Sequence, residues 1–465
     1  MQRVATSRQV PWPREVAPVA RSLARDGAWF WLDGEAEVPG EPAGRSYLGA
    51  TAEVRVAERG RELEFLSMLR GEGPATSGAP ALSHLGWITA LSYEFGVALM
   101  GIPPQPDDAA PGFALAVSTV LILDHGTRRA ELSGESEAAL DAWLARHGGS
   151  LEAEQNEHAP IDASTGSASP VVFASHEAPT DHREALSARW EQSWRRSGQE
   201  YRDQVEACRS AIVDGDAYVL CLTDRATVHG SQDPLSLYLE LRRSGVSSRG
   251  GVIVAGERAL VSESPERFLA VSGGTVATHP IKGTRRRGAD AQTDAALAVE
   301  LAADPKERAE NLMIVDLMRN DLSRICDPET VATTGFLRVE THPHVHQLVS
   351  TVSGRLRPGF DAIDAIQACF PGGSMTGAPK HRAVELLAEI EGAPRGLYSG
   401  CFGWIAGGDA ELAMTIRSVE LRGLGTASVA AFVGAGGGIT ADSDPASEER
   451  ERRLKAEPLL EKLGC

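Results

Sequence analysis

The stretch ELAMTIRSVEL, residues 411–421, carries a clean strand pattern. Leu412, Met414 and Ile416 alternate with their neighbours at the period of two that lays one strand face on a core. Val419 and Leu421 continue on the opposite phase. The slip falls at Arg417-Ser418, so the spacing predicts one strand with a bulge there. Arg417 then points away from the Leu412/Met414/Ile416 face, and bulges often re-aim a side chain beside a site.

Working outward, GAWFWL (27–32), GWITAL (86–91) and ALAVSTVLIL (114–123) are rich in β-branched or aromatic residues and read as half-buried strands. Residues 136–146 read as a helix with Ala139, Leu140, Trp143 and Leu144 on one face. Tyr201, Val205, Cys208 and Ile212 recur at helical spacing, so 200–213 is a second helix. Asp304-Pro305 has the N-cap and first-turn chemistry of a third. Thr376–Pro379 opens a fourth, PKHRAVELLAEIE. From His147 to Thr180 the chain is mostly Ser, Ala, Gly, Pro and Glu, which reads as an exposed linker. Three parts result: an N-terminal region (1–146), a linker or loop (147–184) and a larger block (185–465). Strands and helices alternate irregularly, so the fold class is α+β, not a doubly wound sheet.

Composition narrows the function. The 465 residues carry 46 Lys and Arg against 64 Asp and Glu, a formal charge of −18. That balance argues against a general nucleic-acid binder, which needs a basic field. The apolar run from Gly112 to Leu123 is interrupted by Ser and Thr and stops at Asp124, short of the ~20 residues a membrane helix needs. Six cysteines stand at irregular gaps with no CxxC pair, as reduced thiols do in a cytoplasmic protein.

Several segments can carry chemistry. Glu307 and Glu310 share a helix face three residues apart, and Glu448 and Glu451 repeat that spacing. Two such pairs meeting across a cleft would suit Mg²⁺, although spacing alone favours two solvated faces. GGSMTGAPK (372–380) could turn backbone N–H groups toward an anion, but it lacks the GK[ST] of a phosphate loop. GAGGG (434–438) reads as a second glycine-rich turn. In HPIKGTRRRG (279–288), Lys282 stands close to three arginines. A partly desolvated Lys among cations has a lowered pKa and can act as a nucleophile, and an exposed basic turn is the plainer reading. THPHVHQLVS (341–350) puts three histidines at alternate positions, pointing one way if extended.

Seven strings, in order, resemble the chorismate-binding enzyme family. They are SPERF (264–268), PIKGTRRRG (280–288), KERAENLMIVDLMRND (306–321), VHQLVS (345–350), CFPGGSMTGAPKHRAVELL (369–387), RGLYSG (395–400) and DSDPASEERERRLKAE (442–457). The N-terminal LDG…GRSYLG (32–49) and LGWITALSYEFG (85–96) are similar to the large subunits of anthranilate and aminodeoxychorismate synthases. The resemblance implies an anthranilate-synthase-like fold, with two antiparallel sheets and helices around a central cleft, and chorismate and Mg²⁺ within it. It implies Glu310 and Glu451 as metal ligands, with Glu307 and Glu448 in support. It implies Tyr398, Arg417, Lys455 and Thr284 on the substrate, assisted by backbone N–H groups of Thr376, Gly377, Gly434 and Gly436. Glu266 of SPERF matches a general acid with a raised pKa, acting on the C4 hydroxyl.

Lys282 separates the branches. Aminodeoxychorismate synthases have PIKGT here, anthranilate synthases PIAGT. The resemblance therefore implies attack by Lys282 at C2, then by ammonia at C4, giving 4-amino-4-deoxychorismate on the way to 4-aminobenzoate, for folate or another aromatic amine. The alternatives are anthranilate formation and a non-catalytic binding protein; Lys282 with intact Glu266, Glu310 and Glu451 speaks against both. Departures are Val219 for a polar residue, Gln347 for the family His, LDG for Leu-Glu-Ser, SGVSSRG (244–250) for Pro-Ser-Pro-Tyr, and Arg452 for a common Thr. Val219 cannot activate water as the Lys of isochorismate synthases does. The nearest match to a glutaminase elbow, SGCFG at Cys401, lacks its first Gly, and no His follows His381. Ammonia is thus expected from a separate glutamine amidotransferase subunit.

Overall fold

A computed structural model describes residues 5–36, 38, 41, 43–70, 86–152, 191–230, 232–342 and 345–464. Two large sheets pack face to face, and every strand pairing is antiparallel. The first, of eleven strands, has Ala28–Asp33, Arg249–Ala255, Arg258–Ser264, Ser418–Arg422, Ala430–Ile439 and Val219–His229 at its centre. The second, of ten, runs from Ile281–Arg286 through Val345–Arg355, Thr275–Thr278, Arg267–Ser272, Asp409–Met414 and Cys401–Ala406 to Trp87–Leu91 and beyond. This is the α+β, two-sheet architecture expected.

Three apolar layers hold it together. Between the sheets lie Phe30, Leu32, Ile88, Phe113, Ile253, Leu260, Phe402 and Trp404. Outside the first sheet, Trp29, Trp31, Val252 and Val254 meet the helices Val16–Leu23, Glu137–His147, Pro234–Arg243 and Pro445–Lys462. Outside the second, Leu269, Leu412 and Met414 meet helices that include Pro305–Ser323 and Ala362–Cys369. Strands covered on both faces lose their alternation, which is why all six residues of Ala28–Asp33 are buried.

The opening stretch is therefore not one bulged strand. Asp409–Met414 belongs to the second sheet and Ser418–Arg422 to the first, and the chain crosses between them at residues 415–417. Arg417 sits at the crossing with φ of 50°, in the left-handed region. Leu412 and Met414 face outward from one sheet, Val419 and Leu421 outward from the other. Passing between facing sheets reverses "outward", so the phase must slip. The predicted strand 114–123 divides the same way. Gly112–Ala116 lies in the second sheet and Thr119–Asp124 in the first, with Phe113 and Leu115, then Val120 and Ile122, in the shared interior.

Side-chain caps start two of the expected helices. Ser136 accepts from Ala139 N, and Asp304 accepts from the Lys306 and Glu307 N–H groups. The N-terminal region does not stand apart from the rest. Phe30 pairs with Ile253 and Ile88 with Trp404, so residues 1–146 and 185–465 share both sheets. The expected linker also begins too early. His147 is buried, bonded to Ser22 Oγ at 2.9 Å and to Asp26 at 3.0 Å, and Leu151 is buried. Residues 153–184 of that linker lie outside the described residues. Cys208, Cys221, Cys326, Cys369 and Cys401 are buried and unpaired, and Cys465 lies outside the described residues. Among the described residues no helix is long and apolar enough to cross a membrane.

Candidate active site

GAGGG is not a turn. It closes the ten-residue strand Ala430–Ile439, which pairs along its length with Val219–His229. Gly in a strand interior marks a close approach by other groups, and here several crowd the strand. A Cβ on Gly434 would lie 2.0 Å from Tyr398 Cγ, and one on Gly436 2.0 Å from Leu222 O. One on Gly437 would lie 3.1 Å from Glu448 Oε2 and 3.4 Å from Glu451 Oε1. One on Gly438 would lie 3.7 Å from both Glu310 Oε2 and Lys282 Nζ. The glycines are a floor under Tyr398, Glu448, Glu451, Glu310 and Lys282.

Two helices bring the carboxylates there. Pro305–Ser323 carries Glu307 and Glu310, and Pro445–Lys462 carries Glu448 and Glu451. Asn311, fully buried, fixes the first against Val345–Arg355: it accepts from Ser350 Oγ (2.6 Å) and donates to Leu348 O (3.4 Å). Burial and the charge of Glu310 push the Glu307 carboxyl up, and burial with Glu451 does the same for Glu448. Burial pushes Glu451 up too, but Lys455, Lys306 and Lys282 more than offset it. Ammonium groups stand against the acids: Lys282 and Lys306 lie 3.9 Å from Glu310, and Lys455 lies 2.6 Å from Glu451. Among the described residues no three of these carboxylates converge closely enough to ligate one ion. Their chemistry nevertheless fits a hard divalent cation: oxygen donors only, from two helices, over a glycine cradle.

Lys282 lies on Ile281–Arg286, but its surroundings differ from the expectation. Its pKa is not lowered. Burial pulls it down, yet Glu310, Cys221, Glu266 and Glu451 more than offset this and raise it. The neighbouring arginines turn elsewhere: Arg285 to Glu300, Asp304 and Glu307, and Arg287 to Asp294. The separation comes from Gly283, where the pairing with Val345–Arg355 slips by one residue and φ is 79°. The bulge expected at Arg417 is here instead. Thr284, past this bulge, is exposed and pairs with Gln347.

Glu266 has the raised pKa expected of it. It is buried between Arg258–Ser264 and Arg267–Ser272, and Ser374 Oγ donates to its Oε1 at 2.7 Å. Burial pushes its carboxyl up to about 7, against the Ser374 hydrogen bond and the charge of Lys282. Neutral acid is therefore present at ordinary pH.

Arg417 and Lys455 stand together at the far wall. Arg417 Nη1 donates to Lys455 O at 2.7 Å, and Lys455 Nζ donates to Gly436 O at 2.8 Å. Tyr398 lies with its ring on Gly434. Its loop is anchored by Arg395, which donates to Met375 O (2.7 Å), Cys221 O (2.9 Å) and Glu391, over the Tyr93 ring. Thr376 is fully buried; its N–H donates to Gly373 O and its carbonyl accepts from Cys221 N. Gly377, with φ of 157°, would bring a Cβ 2.2 Å from Val219 O. Gly434→Ala is expected to displace the Tyr398 ring and raise the Michaelis constant for the substrate about tenfold, roughly the worth of one polar contact. Steady-state kinetics checks it against circular dichroism of the same sample.

Other polar residues are structural. Lys380 donates to Asp321, Cys369 O and Pro371 O, so it holds the 369–380 turn, not an anion. His346 binds Asp294 and Thr341, each at 2.9 Å, and is spent there. His342 lies 3.6 Å from Glu340, and His344 lies outside the described residues. Asn311 and Arg395 carry no signal of their own in the sequence, since a polar side chain inside a helix or loop shows no period. A cavity of about 450 Å³ lies elsewhere, lined by Asp33, Glu41, Arg249 and Arg267, and holds none of the predicted site residues.

Residues 30–461 match the family model described as chorismate binding enzyme. An aminodeoxychorismate synthase of Streptomyces pristinaespiralis is 36% identical, over 94% of this chain and 62% of its own length. One from Streptomyces griseus is 35% identical, over 99% and 64%. The chain thus spans less than two thirds of those relatives. An anthranilate synthase component 1 of Streptomyces coelicolor is 35% identical, over 96% of this chain and 82% of its own. The crystal structure of anthranilate synthase component I from Streptococcus pneumoniae TIGR4 superposes with a TM-score of 0.70 at 28% identity, covering 93% of this chain and 92% of that one. With the model spanning nearly the whole chain, and Lys282, Glu310, Glu448 and Glu451 gathered over one glycine strand, this chain belongs to the chorismate-binding enzyme family.

Proposed function

We propose that this chain converts chorismate and ammonia into 4-amino-4-deoxychorismate, with Mg²⁺ as its metal. The observation that carries the reading is the placement of Lys282. Its amine stands on the glycine floor beside Glu310, and its charge acts on Glu266. A nucleophile and an acid therefore share one cleft. Elimination of pyruvate needs a base for the C2 proton, and the histidine that relatives place before Leu-Val-Ser is not available for it here. Gln347 is an amide, and both His346 nitrogens are engaged by Asp294 and Thr341.

Chorismate is a dicarboxylate with a C4 hydroxyl. Arg417, Lys455 and Tyr398 suit its carboxylates. Lys282 rests as an ammonium and first loses a proton to solvent; its amine then forms a bond to C2 as the C4–O bond breaks and the ring double bonds shift. Glu266 gives its proton to the departing oxygen, which leaves as water. Ammonia then forms a bond to C4 as the C2–N bond to Lys282 breaks, restoring the diene. The Lys282 nitrogen sheds a proton to the Glu266 carboxylate after its attack and takes it back as it leaves, and the ammonia nitrogen, after its own attack, sheds the proton that restores the Glu266 acid. Two allylic displacements replace one hard step. Glu310 and Glu451, with Glu307 and Glu448 beside them, would hold Mg²⁺, whose contribution is to neutralise this acidic wall and polarise a substrate carboxylate.

We assign ammonia supply to a separate glutamine amidotransferase. Cys401, the nearest match to a glutaminase nucleophile, is fully buried within a strand, and burial pushes its thiol far up, the opposite of what a nucleophile needs. Chromatography of products from chorismate, Mg²⁺ and ammonium tests the reading. Aminodeoxychorismate without pyruvate is expected; anthranilate with pyruvate would replace it by the alternative branch.

A further inference from the structure

Arg452 follows Glu451 on the Pro445–Lys462 helix and is fully buried. Its guanidinium lies between two aromatic faces, 4.2 Å from the Trp194 ring centre and 4.4 Å from that of Tyr201. Nη1 lies 2.6 Å from Asp224 on the Val219–His229 strand, and Nη2 lies 3.4 Å from Glu449. Planar stacking together with an ion pair fixes a guanidinium in both position and rotation.

The contacts continue to the other side of the cleft. Asp224 Oδ2 also accepts from Arg196 N at 3.3 Å. Arg196 Nη2 donates to Glu391 O at 2.5 Å, and Arg195 Nη2 to Pro394 O at 2.9 Å. Glu391 binds Arg395, the anchor of the Tyr398 loop. The helix that carries two glutamates of the cleft is thereby tied to the loop that carries Tyr398, through groups that touch neither glutamate.

On a helix, Arg452 lies about 100° around from Glu451 and one turn on from Glu448. Clamping one direction of a helix sets the others. We propose that Arg452 is a positioning residue that fixes the rotation of Pro445–Lys462, and with it the approach of Glu448 and Glu451 to Glu310, for binding a divalent cation. The inference rests on reading these glutamates as a cation site.

The test is titration of the full chain with Mn²⁺, reading free Mn²⁺ by electron paramagnetic resonance. Arg452→Met alone would leave the Asp224 charge buried without a partner, so it is paired with Asp224→Leu, which matches the carboxylate in shape. Arg452→Lys is run beside it, since it keeps the charge and loses the planar stacking. Both are expected to raise the Mn²⁺ dissociation constant about tenfold, the double variant with a melting temperature near that of the wild type. Wild-type Mn²⁺ affinity in either folded variant overturns the proposal. Absence of Mn²⁺ binding by the wild type overturns the cation reading itself, and the proposal with it.

Discussion

Lys282→Ala should lower formation of the aminated product at least about a hundredfold, the scale on which a residue acting directly on the reacting atoms is felt. Two roles of this side chain must be separated, because it supplies charge as well as a nucleophile. Its ammonium lies 3.9 Å from Glu310 and faces the charges of Glu266 and Glu451. Lys282→Arg keeps the positive charge and cannot lose a proton at working pH. If only charge matters, the arginine variant retains most activity. If the amine attacks C2, both variants fail alike. Mass spectrometry gives a readout independent of turnover. Wild-type chain quenched with chorismate and no ammonia should carry an adduct of the substrate less one water, and neither variant should. An active arginine variant with no adduct in the wild type would remove Lys282 from the covalent role.

That prediction also shows where sequence reading reached and where it stopped. Motif strings identified Lys282, but neighbours in sequence misled about its environment. Gly283 bulges the strand, Arg285 and Arg287 turn onto helix carboxylates, and groups on other elements, Glu310 first among them, set the proton affinity of the amine. Electrostatics follow space, and a run of cations in sequence need not be one in the fold. The strand at 411–421 holds a similar lesson. Its phase slip was visible, but a bulge and a crossing between facing sheets leave the same mark on one strand. Only the layer each residue faces distinguishes them: Met414 covers one sheet and Val419 the other. Caps and amphipathic periods were local, so the helices at 137, 198, 305 and 380 emerged close to expectation. Arg452 had no reading because its partners, Asp224, Trp194 and Tyr201, lie more than 200 residues earlier in the chain.

Glu266→Gln is expected to cost about a hundredfold or more in turnover, within the range for loss of a positioned acid. The glutamine keeps the shape and can still accept from Ser374, so the loss would report the proton and not the packing. The pH profile sharpens the assignment. Burial raises the Glu266 carboxyl to about 7, and only the protonated form can donate to the C4 oxygen. Measured at constant free ammonia, kcat/KM for chorismate should climb with the Lys282 amine at low pH and level off as pH rises through about 7. In the glutamine variant that levelling should vanish. Stability supplies a second sign. An acid whose folded pKa is raised favours folding while protonated, and loses that advantage as pH climbs from the ordinary glutamate value toward about 7. The glutamine carries no such ionisation. Its melting temperature relative to the wild type should accordingly rise between pH 5 and pH 8. A wild-type profile that keeps climbing through neutral pH, or a variant that loses stability relative to the wild type over that interval, would show that Glu266 is ionised at rest and is not the acid.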